Sequence, residues 1–219
     1  MKKILVRIIF FFVFISFIHA QENDVQSWSS FELGCKPMSN LSLTYNNGVR
    51  FAEDVSEMSR YFFDFKIKRK HSRLLSYAVG YRYLFDFNKS DNATNIHRKK
   101  RWYLDFYLKQ AVSQKIKFSS RTRFQSQMSV TFLNHSELKN KLRQKCKFLY
   151  NFQKSDLAAF FSIEAFFLLD DNVEKLRYQV WCLKSISKKT NLSLSYMIQQ
   201  ELIDSDLFFV IRSKLSYDF

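Results

Sequence analysis

The 219-residue chain has little of what commonly marks turns and cross-links: three glycines, one proline and three cysteines. Cys35, Cys146 and Cys182 are an odd number at wide and irregular spacing, which excludes a disulfide framework and a thiolate metal motif. Each cysteine shares its parity with the apolar residues of its segment. We therefore expect the three thiols to behave as small apolar side chains.

Because glycine and proline are scarce, other residues must form the turns. Clusters of Asn, Asp, Ser and Lys separate the apolar segments, and side chains of these types favour turns by bonding to nearby backbone groups. The clusters lie at 37–40, 89–92, 153–156, 170–172, 188–191 and 204–206. Their spacing predicts a meander of short-linked strands.

The amino terminus has the pattern of a secretory signal peptide. Its first seven residues include three basic side chains, residues 8–18 are apolar apart from Ser16, and Ala20 precedes a polar residue. The apolar core is shorter than the roughly 20 residues that a membrane-spanning helix needs. The sequence predicts a signal peptide at 1–20, cleaved after Ala20, and one mature domain at 21–219.

Cleavage would leave 32 basic and 20 acidic side chains, a formal charge of +12. Such a charge, with many aromatic residues, is also typical of proteins that bind single-stranded nucleic acid. An exported protein does not meet a genome, so we expect no nucleic-acid partner. Anionic lipid, or a small anionic solute inside the protein, fits the charge better.

Eleven segments alternate apolar and polar residues over about ten positions, the length that a tilted strand needs to cross a bilayer. They lie at 26–36, 40–51, 59–69, 73–87, 100–112, 115–127, 142–153, 156–169, 174–186, 190–201 and 206–219. A soluble sandwich with one solvated face would alternate in the same way. The abundant aromatic residues of the apolar face nevertheless favour a face toward lipid, with the charged face inward.

The last segment ends on an aromatic residue. Leu207, Phe209, Ile211, Tyr217 and Phe219 share one parity, which resembles the closing strand of a bacterial outer-membrane barrel. With the signal peptide, this predicts the outer membrane of a Gram-negative bacterium. Outer-membrane lipid is then one partner, and the barrel-assembly machinery, reading Tyr217 and Phe219 on the closing strand, is another.

The predicted fold is all-β: an antiparallel, up-and-down transmembrane barrel of about 10–12 strands. Short connections alternate with longer ones at 52–58, 88–99 and 128–141, which we expect outside the cell. The first and last segments then run in the same direction, which an even-stranded antiparallel barrel does not allow. A further strand within 128–133, an irregular first segment, or a different placement of the amino-terminal tail would each resolve this.

Short sequence pieces, spread over nearly all of the mature chain, occur in a distinctive order and spacing. They include Trp28-x-x-Phe31-x-Leu33, Val49-Arg50-Phe51, Gly80-Tyr81-Arg82-Tyr83, Ser120-Arg121-Thr122-Arg123 and Ser195-Tyr196-Met197-Ile198. In these pieces the chain resembles the bacterial outer-membrane-type family catalogued as domain of unknown function 2490 (DUF2490). The resemblance implies a location and an architecture, and it implies no established activity.

The polar parity supplies the best candidate site, a cluster inside the barrel. Its members are Arg82, Arg101, Asp105, Arg121, Arg123, Gln125, Glu164, Arg177, Gln199 and Glu201. Two interpretations remain open. The charges pair across strands and fill the barrel, since burying them unpaired is costly, or they line an anion-selective path.

Catalytic patterns are weak. Two histidines precede a serine, His71 before Ser72 and His135 before Ser136, but adjacent residues of a strand point to opposite faces. We therefore expect no enzyme, no catalytic residue, no metal and no cofactor. The expected role is structural or the passive passage of a small solute, and the alternatives are a lipid-modifying enzyme that uses His135 and Ser136 in a loop, or a soluble periplasmic lipid-binding barrel.

Overall fold

The computed structural model describes residues 24–90, 93–130, 138–152, 156–169, 173–203 and 205–219. Eleven strands make up almost all of this part of the chain: β1 Val25–Met38, β2 Leu41–Ala52, β3 Glu57–Lys70, β4 Leu75–Ser90, β5 Ala93–Ala111, β6 Ile116–Val130, β7 Leu138–Asn151, β8 Leu157–Leu168, β9 Val173–Ser185, β10 Thr190–Glu201 and β11 Leu207–Asp218. Within the same residues, no helix is long and apolar enough to cross a membrane. The predicted signal peptide lies outside the described residues.

The strands follow one another around a closed barrel in sequence order. The expected strand number is confirmed, but the barrel is not antiparallel throughout, because β1 and β11 pair in parallel. An odd strand count requires this, since strands that alternate in direction leave the first and the eleventh pointing the same way. The explanations considered above are not needed, because the first segment is a strand that pairs with Phe209–Asp218 of β11 on one side and with β2 on the other. Its only irregularity within the described residues is a register shift against β2 between Cys35 and Met38, at its far end.

Serine replaces glycine in three of the short turns. The Oγ atoms of Ser72, Ser113 and Ser187 each accept hydrogen bonds from the backbone N–H groups two and three residues later, at 3.0–3.3 Å. These side-chain bonds hold the backbone in a turn without a residue of special flexibility. They explain how so glycine-poor a chain forms tight hairpins at one end of the barrel.

The predicted loop at 88–99 is wrong. β4 continues to Ser90 and β5 begins at Ala93, and Asn88 pairs with Asn95 within one long hairpin. The polar composition of this stretch suggested a loop, but polar residues extend a ladder equally well where both faces meet water. In the predicted loop at 128–141, residues 128–130 belong to β6 and 138–141 to β7, while 131–137 lie outside the described residues.

The outward face of every strand carries at least one large apolar side chain that is more than a third exposed. One from each strand in order is Phe31, Leu43, Phe65, Val79, Trp102, Phe124, Phe148, Phe161, Val180, Leu194 and Ile211. The three cysteines are free, and Cys35 and Cys182 are exposed among these residues. The apolar parity therefore faces out and the charged parity faces in.

Aromatic residues are not confined to the outer face, as the sequence suggested. Trp28, Phe62, Tyr103, Phe160 and Phe166 point into the barrel and are less than 10% exposed. Trp28 packs with Met197 and Val210 in the one apolar cluster of fully inward side chains, where β1 meets the last two strands. The interior is thus a mixture of charged groups and aromatic rings.

Candidate binding site in the barrel interior

A cavity of about 430 Å³ lies inside the barrel and is lined by side chains from ten of the eleven strands. Thirteen of the lining residues are Lys or Arg and four are Asp or Glu. The basic ones are Arg50, Arg60, Lys66, Arg82, Arg101, Arg121, Arg123, Lys141, Arg143, Lys145, Lys175, Arg177 and Arg212. The acidic ones are Glu32, Asp64, Glu164 and Glu174.

One pair in the interior is completely buried. Arg123 on β6 donates two hydrogen bonds to Asp105 on β5, one from Nε to Oδ1 at 2.6 Å and one from an Nη atom to Oδ2 at 2.8 Å. The two residues are direct cross-strand partners. The Tyr107 hydroxyl donates a third bond to this carboxylate at 2.7 Å. Paired and bonded in this way, the buried charges avoid most of their desolvation cost.

Glu164 on β8 joins three basic side chains. It accepts hydrogen bonds from Arg121 at 2.5 Å and from Arg143 at 2.7 Å, and its other oxygen lies 3.9 Å from Lys145 Nζ. The Glu164 side chain is only 6% exposed. The Glu164 carboxylate therefore neutralises part of the positive charge that β6 and β7 bring into the interior.

The hydrogen-bond network around Asp64 depends on the absence of a side chain at Gly80. Its carboxylate accepts bonds from Arg82 at 2.5 Å and from the Tyr103 hydroxyl at 2.6 Å. The Tyr103 ring reaches Asp64 across β4 because Gly80 lies between them, and a Cβ at Gly80 would overlap that ring. Arg123 stacks on the ring, with its guanidinium carbon 3.6 Å from the ring centre.

Two further clusters lie toward the end of the barrel where β2 and β3 connect. Asp86 pairs with Arg60 and accepts a hydrogen bond from Lys99 at 2.7 Å. Lys175 lies 2.8 Å from both carboxylate oxygens of Glu201. These pairs support the interpretation in which inward charges hold neighbouring strands together.

Pairing does not account for all of the interior. Five of the basic residues that line the cavity form no ion pair with any described residue: Arg50, Lys66, Arg101, Arg177 and Arg212. Arg101 and Arg177 donate to the neutral amides of Gln127 and Gln199. The cavity therefore keeps an excess of positive charge after its ion pairs are formed.

The structure brings most of the predicted cluster together. Seven of its ten residues line the cavity: Arg82, Arg101, Arg121, Arg123, Gln125, Glu164 and Arg177. Asp105, Gln199 and Glu201 lie behind them as partners of Arg123, Arg177 and Lys175.

Sequence reasoning left four important residues out of the cluster: Trp28, Arg50, Arg143 and Arg212. All four line the cavity. Parity could have identified each of them, since each occupies an inward position of its strand. Which side chains approach one another across the lumen depends on the stagger of distant strands, and no local pattern records that stagger.

The carboxyl terminus lies beside β1. The Phe219 N–H donates to the Gly34 carbonyl at 2.9 Å, and its ring meets the edge of Tyr217 with 5.1 Å between centres. Phe219 is 70% exposed and borders an outer groove that includes Leu33 and Phe65. The terminal aromatic pair is therefore accessible on the outer face.

His135 and Ser136, the residues of the predicted catalytic alternative, lie outside the described residues. His71 lies in the turn after β3 and His97 lies in β5. In the described part of the chain, no three His, Cys, Asp or Glu side chains are arranged to hold a metal ion.

Fold and interior together define a class: a closed β-barrel with an apolar outer face and a basic, partly paired lumen. The model of a protein family described as "Protein of unknown function (DUF2490)" matches residues 25–206, and the chain belongs to that family. No curated protein matches the chain. The description of the family assigns no activity to it.

Proposed function

We propose that the protein is an outer-membrane β-barrel that lets small anionic solutes pass through its lumen without catalysis. The observation that carries this proposal is the positive charge left after pairing: five of the thirteen basic side chains that line the cavity form no ion pair with any described residue. Positive walls of low dielectric concentrate anions and repel cations. A barrel that was merely filled by its own charges would need nearly balanced signs.

The outer face supports a location in a membrane. Large exposed apolar side chains occur on all eleven strands, with Trp102 60% exposed and Phe65 and Val180 each 55% exposed. Soluble monomers rarely expose contiguous apolar surface of more than a few hundred Å². Lipid around the barrel would remove this surface from water. The predicted signal peptide and terminal Phe219 agree with export and with assembly into the outer membrane.

The location is tested by membrane fractionation and by the heat-dependent gel shift of the mature protein folded in detergent. An outer-membrane protein that migrates differently before and after boiling is the expected result. A soluble protein without this shift would favour the alternative, a periplasmic lipid-binding barrel.

Passage is tested by the reversal potential of the folded protein in a planar bilayer under a KCl gradient, which should show a preference for chloride. Arg101→Gln removes one positive charge without leaving a carboxylate unpaired, so it should weaken that preference. Lys188→Gln, in the exposed turn between β9 and β10, is the matched control and should leave it unchanged. A preference for potassium, or no conductance, would contradict passage.

A further inference from the structure

Three arginines surround a single indole ring in the barrel interior. The guanidinium carbons of Arg50, Arg177 and Arg212 lie 3.7, 5.2 and 5.4 Å from the ring centre of Trp28. Strand register places two of them, because Trp28 on β1 is directly opposite Arg50 on β2 and Arg212 on β11. The parallel closing pair thus brings Arg212 of the last strand to the Trp28 ring, and the antiparallel pairing of β1 with β2 brings Arg50 to it.

These three positive charges have no counter-ion among the described residues. None of them forms an ion pair there, and of the three only Arg177 has a hydrogen-bonded side-chain partner, the Gln199 amide oxygen at 2.7 Å. The Nε atoms of Arg50 and Arg212 are buried and have no hydrogen-bond partner in the described part of the chain. The ring face offsets part of the repulsion among the guanidinium groups, but buried donors without acceptors remain costly.

The missing partner is an acceptor with negative charge. Nearby Glu164 already accepts bonds from Arg121 and Arg143, and Glu201 is taken by Lys175. A guanidinium group presents its N–H donors as a planar fork, which fits the paired oxygens of a carboxylate or phosphate group and not a spherical halide. The three arginines line the 430 Å³ cavity, which has room for such a group.

We propose that Arg50, Arg177 and Arg212, arranged around Trp28, form a binding site for a small oxyanion of the phosphate or carboxylate class. The site rests on the proposed function in one respect, because the anion must enter the lumen from water. An anion that passes through the lumen binds at this site. There it accepts hydrogen bonds from the Nε donors of Arg50 and Arg212.

Inorganic phosphate is the probe, added to the folded barrel in detergent and followed by calorimetry and by tryptophan fluorescence. A Trp102→Phe background removes the outward tryptophan and leaves Trp28 and Trp181, both within 5.5 Å of the Arg212 guanidinium carbon. Saturable binding with a fluorescence change is expected. Acetate, with the same paired oxygens and less charge, should compete more weakly, and chloride at equal ionic strength should not compete.

Arg50→Gln with Arg212→Gln should weaken phosphate binding at least tenfold. Lys66→Gln is the matched control. Lys66 lines the same cavity and forms no ion pair with any described residue, but it is not one of the three cations around Trp28. This substitution should change the affinity less than about threefold, as expected for a diffuse electrostatic effect. If the double variant does not fold, Arg50→Lys keeps the charge but removes the fork, and it should still weaken phosphate binding more than Lys66→Gln does.

Equal losses in the Lys66 and arginine variants would overturn the site and leave only a general positive potential. Absence of saturable phosphate binding to the unmodified protein would also overturn it, with water satisfying the free donors. These results are distinguishable from a failure of the proposed function. Conductance without phosphate binding removes the site and keeps passage, whereas phosphate binding without conductance keeps the site and removes passage.

Discussion

Glu164 offers the sharpest test of whether inward ion pairs stabilise this barrel. Replacing it with glutamine keeps its size and removes the charge that Arg121 and Arg143 share, at 2.5 and 2.7 Å. The carboxylate is 6% exposed, so the two guanidinium groups would stay in a poorly solvated place without their counter-ion. Breaking a buried pair in this way costs about 3–5 kcal/mol.

The lower end of that range applies here, because the glutamine oxygen can still accept one of the bonds and the cavity admits water. We expect Glu164→Gln to lower the free energy of unfolding by about 3 kcal/mol, which is roughly a 150-fold change in the folding equilibrium. The assay is urea titration of the folded barrel in lipid vesicles, with the folded fraction read from the unboiled gel band.

Glu57 provides the matched control. It also bonds a basic side chain, Lys89, at 2.7 Å, but this pair lies at the rim, with side chains 35% and 66% exposed. Glu57→Gln should leave the free energy of unfolding unchanged, since exposed pairs contribute little and are screened by salt. If both substitutions lower stability equally, or if neither does, burial does not set the strength of these pairs and the reasoning is refuted.

Three further predictions concern packing, the outer face and assembly. Gly80→Ala should destabilise the barrel by about 1–3 kcal/mol because the new methyl group overlaps the Tyr103 ring. The double variant Gly80→Ala with Tyr103→Ala should lose less stability than the sum of the two single variants. Strict additivity in urea titrations would argue against the overlap. Val180→Arg, on the outward face of β9, should cost about 2–4 kcal/mol in lipid, whereas Ile186→Arg in the following turn should be tolerated; a tolerated Val180→Arg would mean that this face meets water. Phe219→Ser should reduce the outer-membrane fraction of the protein in cells while Phe219→Tyr preserves it, and equal fractions for the two variants would show that the terminal aromatic ring is not read during assembly.

Much of the barrel could be predicted from local pattern. A period of two identifies every strand and assigns each side chain to a face, because the alternation of a strand does not depend on its neighbours. Parity alone placed Arg121, Arg123 and Glu164 in the interior. It failed at 88–99, where polar composition was interpreted as a loop although the residues continue a ladder.

The meeting of side chains across the lumen could not be predicted. Ser29 and Ser213 bond across the closing pair although 184 residues separate them, and the register that joins them also places Trp28 beside Arg212. That register follows from the stagger of the whole ring of strands, which no window of the sequence contains. Individual members of the cluster were therefore predictable, and the grouping of three arginines on one ring was not.

The parallel contact between β1 and β11 also limits how this fold can be rearranged. Asp24 lies at the end of the barrel with the β2–β3 turn, while Phe219 lies at the opposite end. The 14 residues of β1 span about 45 Å of chain at about 3.3 Å per residue. A circular permutation that joined Phe219 to Asp24 would therefore require a linker as long as a strand. Moreover, duplication of whole hairpins adds strands in twos, so a ring of eleven strands cannot be built from hairpin duplication alone.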